Sequence, residues 1–362
     1  MNKFKFISSL LALIVLVQYS CTKDEESNVN FDDSPYQLNI GNLPAPNIAL
    51  DNLLTMEGVK LGRMLFYEKR LSRTNTQSCA SCHKQENAFS DTAKFSQGVS
   101  GDFGGRQAMA VFNMAWNTNE FFWDGRAHLL RDQSLGPIEN PVEMDETLEN
   151  VIAKLAQDKD YKDQFVRAFG AEEITATKMS LAMEQFMNSI VSVNSKYDRF
   201  LAGTDSLTPS ENRGKSLFFD EFNPGFPELS GADCAHCHGG KTFENDLYMN
   251  NGLDGDAGME DDGRMEVTDN PNDKGKFKVT SLRNVEVTPP YMHDGRFATL
   301  EEVINHYNNG LKNSSTISPA LEYTRSSGGL QLTQEDKADL VLFLKTLTDD
   351  VLLTNEEYSD PF

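Results

Sequence analysis

The sequence predicts a mainly α-helical protein with two helical domains. Apolar residues recur at helical spacing in several stretches, as at Leu148, Val151, Ile152 and Leu155. Strand patterns are sparse along the chain, whereas one short cysteine motif occurs once in each half. A length of 362 residues, of which 39% are hydrophobic, is sufficient for two domains with separate cores.

The repeated motif is C-x-x-C-H, at residues 79–83 and again at residues 234–238. This pattern is the attachment signature of c-type haem, in which two thiols bond to one haem and the adjacent histidine supplies an axial nitrogen to iron. A single C-x-x-C can also be a zinc site or a redox dithiol, but a histidine after each pair favours two covalent haems. The predicted haem-binding residues are Cys79, Cys82 and His83 for the first haem, and Cys234, Cys237 and His238 for the second.

Charge and the N-terminus restrict the partners and the location. A net charge of −22 argues against nucleic acid and suits a basic redox protein. Residues 1–20 are predicted to be a secretion signal, because Lys3 and Lys5 precede an apolar stretch that is too short to span a membrane. Cys21 lies where a lipoprotein signal is cleaved, although residues 18–20 match that pattern poorly. We expect a periplasmic or cell-envelope protein anchored only by lipid; an ordinary signal peptide is the alternative.

The order of the predicted segments follows from composition. Residues 21–45 begin with a polar, acidic stretch and are predicted to be a flexible tether. The N-terminal domain is predicted to cover residues 46–208 and the C-terminal domain residues 209–352, followed by a tail at 353–362. Residues 253–275 are acidic and glycine-rich without calcium-loop spacing, which indicates a solvated loop.

Two helices in the C-terminal half have clear start signals. Thr299 and Glu302 form the pattern of a capping box, which predicts a helix through Tyr307. Thr333 is the predicted N-cap of the last helix.

Taken together, these residues resemble the bacterial di-haem cytochrome c peroxidase family, which includes the MauG-type enzymes of methylamine utilisation. The resemblance extends from about residue 61 to residue 348. It implies two cytochrome-c-like domains with one covalent haem each, the first reacting with peroxide and the second transferring electrons. Besides the haem motifs, the matching residues are Leu61-Gly62, Leu71-Ser72, residues 122–127 (FWDGRA), residues 141–144 (PVEM), residues 282–284 (LRN) and residues 290–295 (PYMHDG).

The resemblance also implies three catalytic residues. Glu143 matches the distal carboxylate of the family, Gln133 its distal amide, and Trp123 the tryptophan between the haems. Peroxide cleavage requires an open iron position, a proximal histidine and an acid–base group, which is the role expected of Glu143. Without the motif context, Glu143 would be a surface residue or helix cap and Trp123 a core aromatic.

A calcium ion between the haems is a further implication of the resemblance. Its ligands would be the backbone carbonyls of Thr288 and Pro290 and the side chain of Gln107. The family usually has asparagine at the last position, but a glutamine carbonyl also suits a hard cation.

The chain departs from many family members at both haems. Val99 stands where many members have a histidine that blocks the first iron, so we expect that iron to be five-coordinate or water-bound. Tyr307 stands where the second iron usually has a methionine ligand, as in the MauG-type branch; His306 and Met292 are the rival ligands. His293 is expected near the second haem, where it would hydrogen-bond a propionate.

The expected function is a di-haem peroxidase that reduces hydrogen peroxide to water with electrons from an external donor such as a small cytochrome c. A MauG-type oxidase that modifies a partner protein is one alternative, favoured by Tyr307 and Val99. A non-catalytic di-haem electron-transfer cytochrome is another. Members of the family are often dimers, so the resemblance leaves open whether this protein forms a homodimer.

Overall fold

The computed structural model describes residues 29–362, so the predicted signal peptide and Cys21 lie outside the described residues. The predicted mainly helical class is confirmed, since the one sheet of the described part pairs two short antiparallel strands, β1 (Tyr248–Met249) and β2 (Phe277–Lys278). Between residues 29 and 362 no helix has the length and apolar character to cross a membrane. The α-helices are α1 (Met56–Tyr67), α2 (Leu130–Glu139), α3 (Leu148–Leu155), α4 (Lys159–Phe169), α5 (Ala176–Ser189), α6 (Lys196–Leu201), α7 (Pro209–Phe219), α8 (Met265–Thr268), α9 (Leu300–Asn305), α10 (Pro319–Ser326) and α11 (Gln334–Lys345).

The buried apolar side chains form two large clusters. The first contains residues between 54 and 190, together with Leu352 and Tyr358 from the C-terminus. The second contains residues between 197 and 347. Tyr197 of α6 packs in the second cluster, although the sequence placed α6 in the first domain. Packing therefore changes from one cluster to the other ahead of residue 208, and the division into two domains stays a prediction.

The described part of the predicted tether is bound to the first cluster rather than free. The Tyr36 N–H donates to the Leu54 carbonyl at 3.0 Å, and the Met56 N–H donates to Ser34 at 2.9 Å. Leu43 is buried in a small cluster with Trp116. Apolar residues after the acidic start drive this docking, because their burial releases water from apolar surface.

The helix starts agree with the local signals in the sequence. Thr299 and Thr333 each form a capping box, at the starts of α9 and α11. Thr208 does the same for α7, which leads towards the second cysteine motif. The helix predicted to run through Tyr307 is α-helical only as far as Asn305, and a π-helix, His306–Gly310, follows it directly.

A close helix crossing precedes each cysteine motif. Gly62 of α1 faces α5, where an added Cβ would lie 2.7 Å from the Phe186 Cβ and overlap the Ala182 carbonyl. Gly214 of α7 faces α11, and its added Cβ would lie 2.9 Å from the Phe343 Cβ. Both helices lead into a C-x-x-C-H motif, so these crossings position the motifs against their clusters.

We predict that Gly62→Ala lowers the free energy of unfolding by at least about 1–3 kcal/mol, the usual cost of overpacking a core. Denaturant unfolding of the haem-loaded protein, followed by circular dichroism, measures this change. Gly105→Ala is the matched control, since an added Cβ there meets nothing within 4 Å. Equal unfolding midpoints for the two variants would show that the α1–α5 contact is not tight.

Candidate active site

Residues of both C-x-x-C-H motifs line one cavity, to which all four motif cysteines, His83 and His238 contribute. Each motif begins with a single 3-10 turn, at Cys79–Ser81 and at Cys234–His236. The histidine N–H of each motif donates to the carbonyl of its first cysteine at 2.9 Å. The two motifs therefore have the same local structure.

Both motif histidines are held by a backbone carbonyl. Nδ1 of His83 lies 2.9 Å from the Phe89 oxygen, and Nδ1 of His238 lies 3.1 Å from the Thr280 oxygen. Because a carbonyl only accepts, Nδ1 carries the proton and Nε2 keeps the lone pair that a metal needs. Burial lowers the pKa of both imidazoles, to about 4 for His238, so the rings are neutral as ligation requires.

The cysteines fit haem attachment better than a zinc site. Burial raises the pKa of the Cys79 and Cys234 thiols to about 12. In the part of the chain that the structure describes, no three His, Cys, Asp or Glu side chains converge as metal ligands. Each motif presents two thiols and one neutral imidazole on the cavity wall. These are the groups that c-type haem needs, two for covalent attachment and one to bind iron.

The two predicted peroxide-side residues line this same cavity. Gln133 lies on α2, and Glu143 lies in the turn that follows α2. Asn140 Nδ2 donates to Glu143 Oε1 at 2.7 Å, and Asn140 Oδ1 accepts the Val142 N–H. Asn140 thus fixes one carboxyl oxygen of Glu143 and leaves Oε2 for other partners. Sequence reasoning missed Asn140, although its position three residues before Glu143 is a usable signal.

The loop that carries Val99 is docked on the backbone beside Glu143. The Val99 N–H donates to the Glu143 carbonyl at 2.9 Å. An added Cβ on Gly98 would overlap the Val142 carbonyl, so the approach is close. Gln97 and Gly98 line the cavity at this point. Val99 is not among the described residues that line it.

Trp123 joins segments from the two halves of the chain. Its Nε1 donates to the Gln107 carbonyl at 2.8 Å, and its own carbonyl accepts the Lys278 N–H at 2.8 Å. The Gln107 N–H in turn donates to the His293 carbonyl at 2.7 Å. Trp123 also lines the cavity that the two motifs share.

A buried ion-pair network supports this junction. Asp124, 3% exposed, accepts from Arg106 and from Arg126. Arg106 also pairs with Asp261 at 2.7 Å. The prediction of a solvated loop at residues 253–275 agrees with the exposure of much of this segment, but Asp261 is bound by Arg106 and residues 265–268 form the helix α8. A largely buried guanidinium requires carboxylate partners, which draws this part of the loop inward.

Tyr307 lies in the π-helix and lines the cavity. Burial raises the pKa of Tyr307 to about 12, so the phenol keeps its proton unless a positive charge lies beside it. His306 is directed elsewhere, because its Nε2 lies 3.0 Å from the Asn251 carbonyl. The rival Met292 does line the cavity, and its Sδ accepts from Asn251 Nδ2 at 3.3 Å. π-Helices are frequent at functional sites, and the sequence did not predict this one.

The remaining predicted residues also face the cavity. His293 is buried, and its ring stacks on Phe277 with 3.6 Å between centroids. Gln107, Thr288 and Pro290, the predicted calcium ligands, lie on the cavity wall. Gln107 Nε2 donates to the Asp91 carbonyl at 2.9 Å and to a serine hydroxyl. The side-chain oxygen of Gln107 takes part in neither bond.

Comparisons with known proteins agree with this geometry. The sequence profile described as di-haem cytochrome c peroxidase matches residues 56–206. The cytochrome c551 peroxidase of Nitrosomonas europaea is 35% identical over 301 residues, which cover 80% of each chain. The chain belongs to the di-haem cytochrome c peroxidase family. Membership implies a peroxidase-type oxidoreductase with two c-type haems.

The MauG branch of the family is equally similar. The methylamine utilisation protein MauG of Methylorubrum extorquens is 34% identical, over 82% of this chain and 79% of its own. A crystal structure of a MauG-like protein associated with microbial copper homeostasis superposes with a TM-score of 0.81 and 33% identity. That match covers 90% of this chain and 99% of the other. Sequence similarity therefore does not separate the peroxidase branch from the MauG branch.

We predict that replacing Cys79 and Cys82 by alanine reduces the haem-to-protein ratio from two to one, because one attachment site is lost. The pyridine haemochrome assay on purified protein measures this ratio. Replacing Cys21 by alanine should leave two haems and serves as the control. A ratio of two in the double variant would contradict attachment at the first motif.

Proposed function

We propose that the protein is an extracytoplasmic di-haem peroxidase that reduces hydrogen peroxide to water with electrons from a small cytochrome c or a similar donor. The observation that carries the proposal is Glu143, whose carboxyl group lines the cavity of His83 and is oriented by Asn140. Bound haem supplies the iron at which the peroxide oxygen–oxygen bond breaks.

Cys79, Cys82 and His83 would hold the first haem. The Phe89 carbonyl keeps the proton on His83 Nδ1, which directs Nε2 to the metal and strengthens the imidazole as a donor. The Val99 side chain has no atom that could bind iron. This supports a first iron with one coordination position left free for peroxide. A carrier of electrons alone has no use for such an opening beside a carboxyl group.

The Glu143 carboxyl group moves the proton. We assign Oε2 to take a proton from one oxygen of hydrogen peroxide and to deliver it to the other, which would leave as water; two electrons from the donor and two further protons would convert the remaining oxygen to a second water molecule. Asn140 keeps Oε1 in place during this transfer. The Gln133 amide lies on the same cavity and is suited to hydrogen-bond the peroxide.

Cys234, Cys237 and His238 would hold the second haem, where electrons enter. Trp123 bridges the two sites through its bonds to Gln107 and Lys278, which supports its role in passing electrons between them.

The Tyr307 oxygen would bind the iron of the second haem together with His238, since Tyr307 lines the cavity whereas His306 Nε2 is turned to the backbone carbonyl of Asn251. A ferric centre would supply the positive charge that offsets the burial of the phenol. His293 would hydrogen-bond a propionate of this haem.

Calcium, location and partners complete the proposal. The oxygens of Gln107, Thr288 and Pro290 would hold one calcium ion. A secretion signal at residues 1–20 supports a periplasmic location, with Cys21 as a lipid anchor. The net charge of −22 suits a basic donor protein and disfavours nucleic acid.

A MauG-type oxidase that modifies a partner protein is the second candidate. The presence of Tyr307 and the close fit to a MauG-like structure favour it. Turnover with peroxide and a reduced small cytochrome c separates the two candidates: the peroxidase turns over many times, whereas the MauG-type oxidase uses that donor poorly.

We predict that Glu143→Gln slows the reaction with hydrogen peroxide by about 10²–10⁴-fold, the usual contribution of an acid–base group. Stopped-flow absorbance of the haem-loaded protein measures the rate. Glu139→Gln, at an exposed position on α2, is the matched control and should react like the unaltered protein. An unchanged rate in Glu143→Gln would remove the proposed proton transfer.

We predict that Tyr307→Phe changes the absorption and electron paramagnetic resonance signals of the second haem, because one axial oxygen is lost. Tyr323→Phe alters an exposed tyrosine and should leave both haem signals unchanged. If the second-haem signals survive in Tyr307→Phe, Met292 becomes the preferred ligand.

A further inference from the structure

The carbonyl that holds His83 belongs to an unusual turn. Ala88 and Phe89 both have positive φ, at 49° and 59°, a region that residues other than glycine rarely adopt. The Phe89 N–H donates to the Lys84 carbonyl at 2.8 Å, which closes the turn over residues 84–90. Such a backbone persists only where surrounding contacts maintain it.

A C-terminal segment supplies contacts at two points of this turn. We name residues 349–360 the C-terminal strap. Gln85 Nε2 donates to the carbonyls of Leu352 and Asn355, at 3.0 Å and 2.8 Å. The buried ring of Phe89 packs edge-to-face on Tyr358, with 6.5 Å between centroids. The strap therefore contacts Gln85, two positions after His83, and Phe89, whose carbonyl is bonded to His83.

The strap is itself anchored at both ends. At its end, the Tyr358 carbonyl accepts from the Tyr67 hydroxyl at 2.7 Å, and the Ser359 carbonyl accepts from Arg63 Nε at 2.6 Å. At its start, Asp349 Oδ2 accepts the backbone N–H groups of Val193 and Asn194 at 2.9 Å each, and the Asp349 N–H donates to Asn284 Oδ1 at 2.8 Å. Tyr358 is 7% exposed and belongs to the first cluster, so the strap returns the C-terminus to the side of His83.

We propose that the C-terminal strap sets the hydrogen bond on His83 Nδ1, with Tyr358 and Gln85 as positioning residues for the first haem. The proposal rests on the proposed role of His83 as the axial ligand. A well-aligned bond from Nδ1 to a carbonyl makes the imidazole a stronger donor, which favours ferric iron. Loosening the strap lets the turn relax, weakens that bond and makes the first haem easier to reduce.

The second haem is an internal reference for this effect. His238 Nδ1 is bonded to the Thr280 carbonyl, and Thr280 lies far along the chain from both the turn and the strap. A change confined to the strap should therefore affect one haem and leave the other unaltered. A general loss of stability would affect both.

The test compares the haem-loaded full chain with the double variant Gln85→Ala, Tyr358→Ala. Spectroelectrochemical titration gives the two reduction potentials, and resonance Raman of the reduced protein gives the iron–histidine stretch. We expect the first-haem potential to rise and its iron–histidine stretch to fall in frequency, with the second haem unchanged. Gln157→Ala, Tyr323→Ala is the matched control, since those side chains belong to neither the turn nor the strap.

Conservative variants keep the proposal falsifiable if the double variant fails to incorporate haem. Tyr358→Phe keeps the ring contact with Phe89 and should retain the original potential, whereas Tyr358→Leu should shift it. An unchanged first haem in the double variant, or in Tyr358→Leu where the double variant carries no haem, overturns the proposal, as does an equal shift of both haems. Absence of an iron–histidine band for the first haem in the unaltered protein would instead contradict the proposed function, because that band requires a reduced haem that is bound by His83 and open on the peroxide side.

Discussion

The hydrogen bond between a histidine Nδ1 and a backbone carbonyl is the interaction on which both sites depend. It occurs at His83 with Phe89 and at His238 with Thr280. Because the carbonyl fixes the proton on Nδ1, Nε2 keeps its lone pair in both motifs, and both histidines line the cavity. The helix crossings at Gly62 and Gly214 support this arrangement, since they position the chain that enters each motif.

The region between the motifs is built differently, from charges and backbone bonds. Asp124 is shared by two arginines, and Arg106 extends the network to Asp261 on a distant loop. The adjacent Trp123 is bonded through its indole and its carbonyl to segments from both halves. This fixed position is consistent with the proposed role of Trp123 in electron transfer, because electronic coupling falls steeply as the distance between the sites grows.

The local part of this account was predictable from sequence, since spacing alone defines the cysteine motifs and side-chain order defines the capping boxes at Thr299 and Thr333. The family resemblance identified Glu143 and Trp123 as site residues, and the structure places both on the cavity wall. Carbonyl acceptors such as those of Phe89 and Thr280 were not predictable, because a backbone oxygen has no residue-type signature.

Long-range contacts were also missed, for a related reason. An acidic, glycine-rich composition indicated a solvated loop around Asp261, yet its carboxylate pairs with Arg106 across 155 positions of the chain. The tail and the described part of the tether pack on the first cluster and on the small cluster of Trp116 through their apolar side chains. Such docking depends on which distant surface is available, which local patterns do not encode.

An electron paramagnetic resonance spectrum of the fully oxidised protein tests the central claim most directly, because it reports the ligands of both irons at once. The account predicts a high-spin ferric signal from the first haem, open beside Glu143, together with a low-spin signal from the second. Two low-spin signals with no high-spin component would show that a strong ligand already occupies the first iron, and would contradict the account.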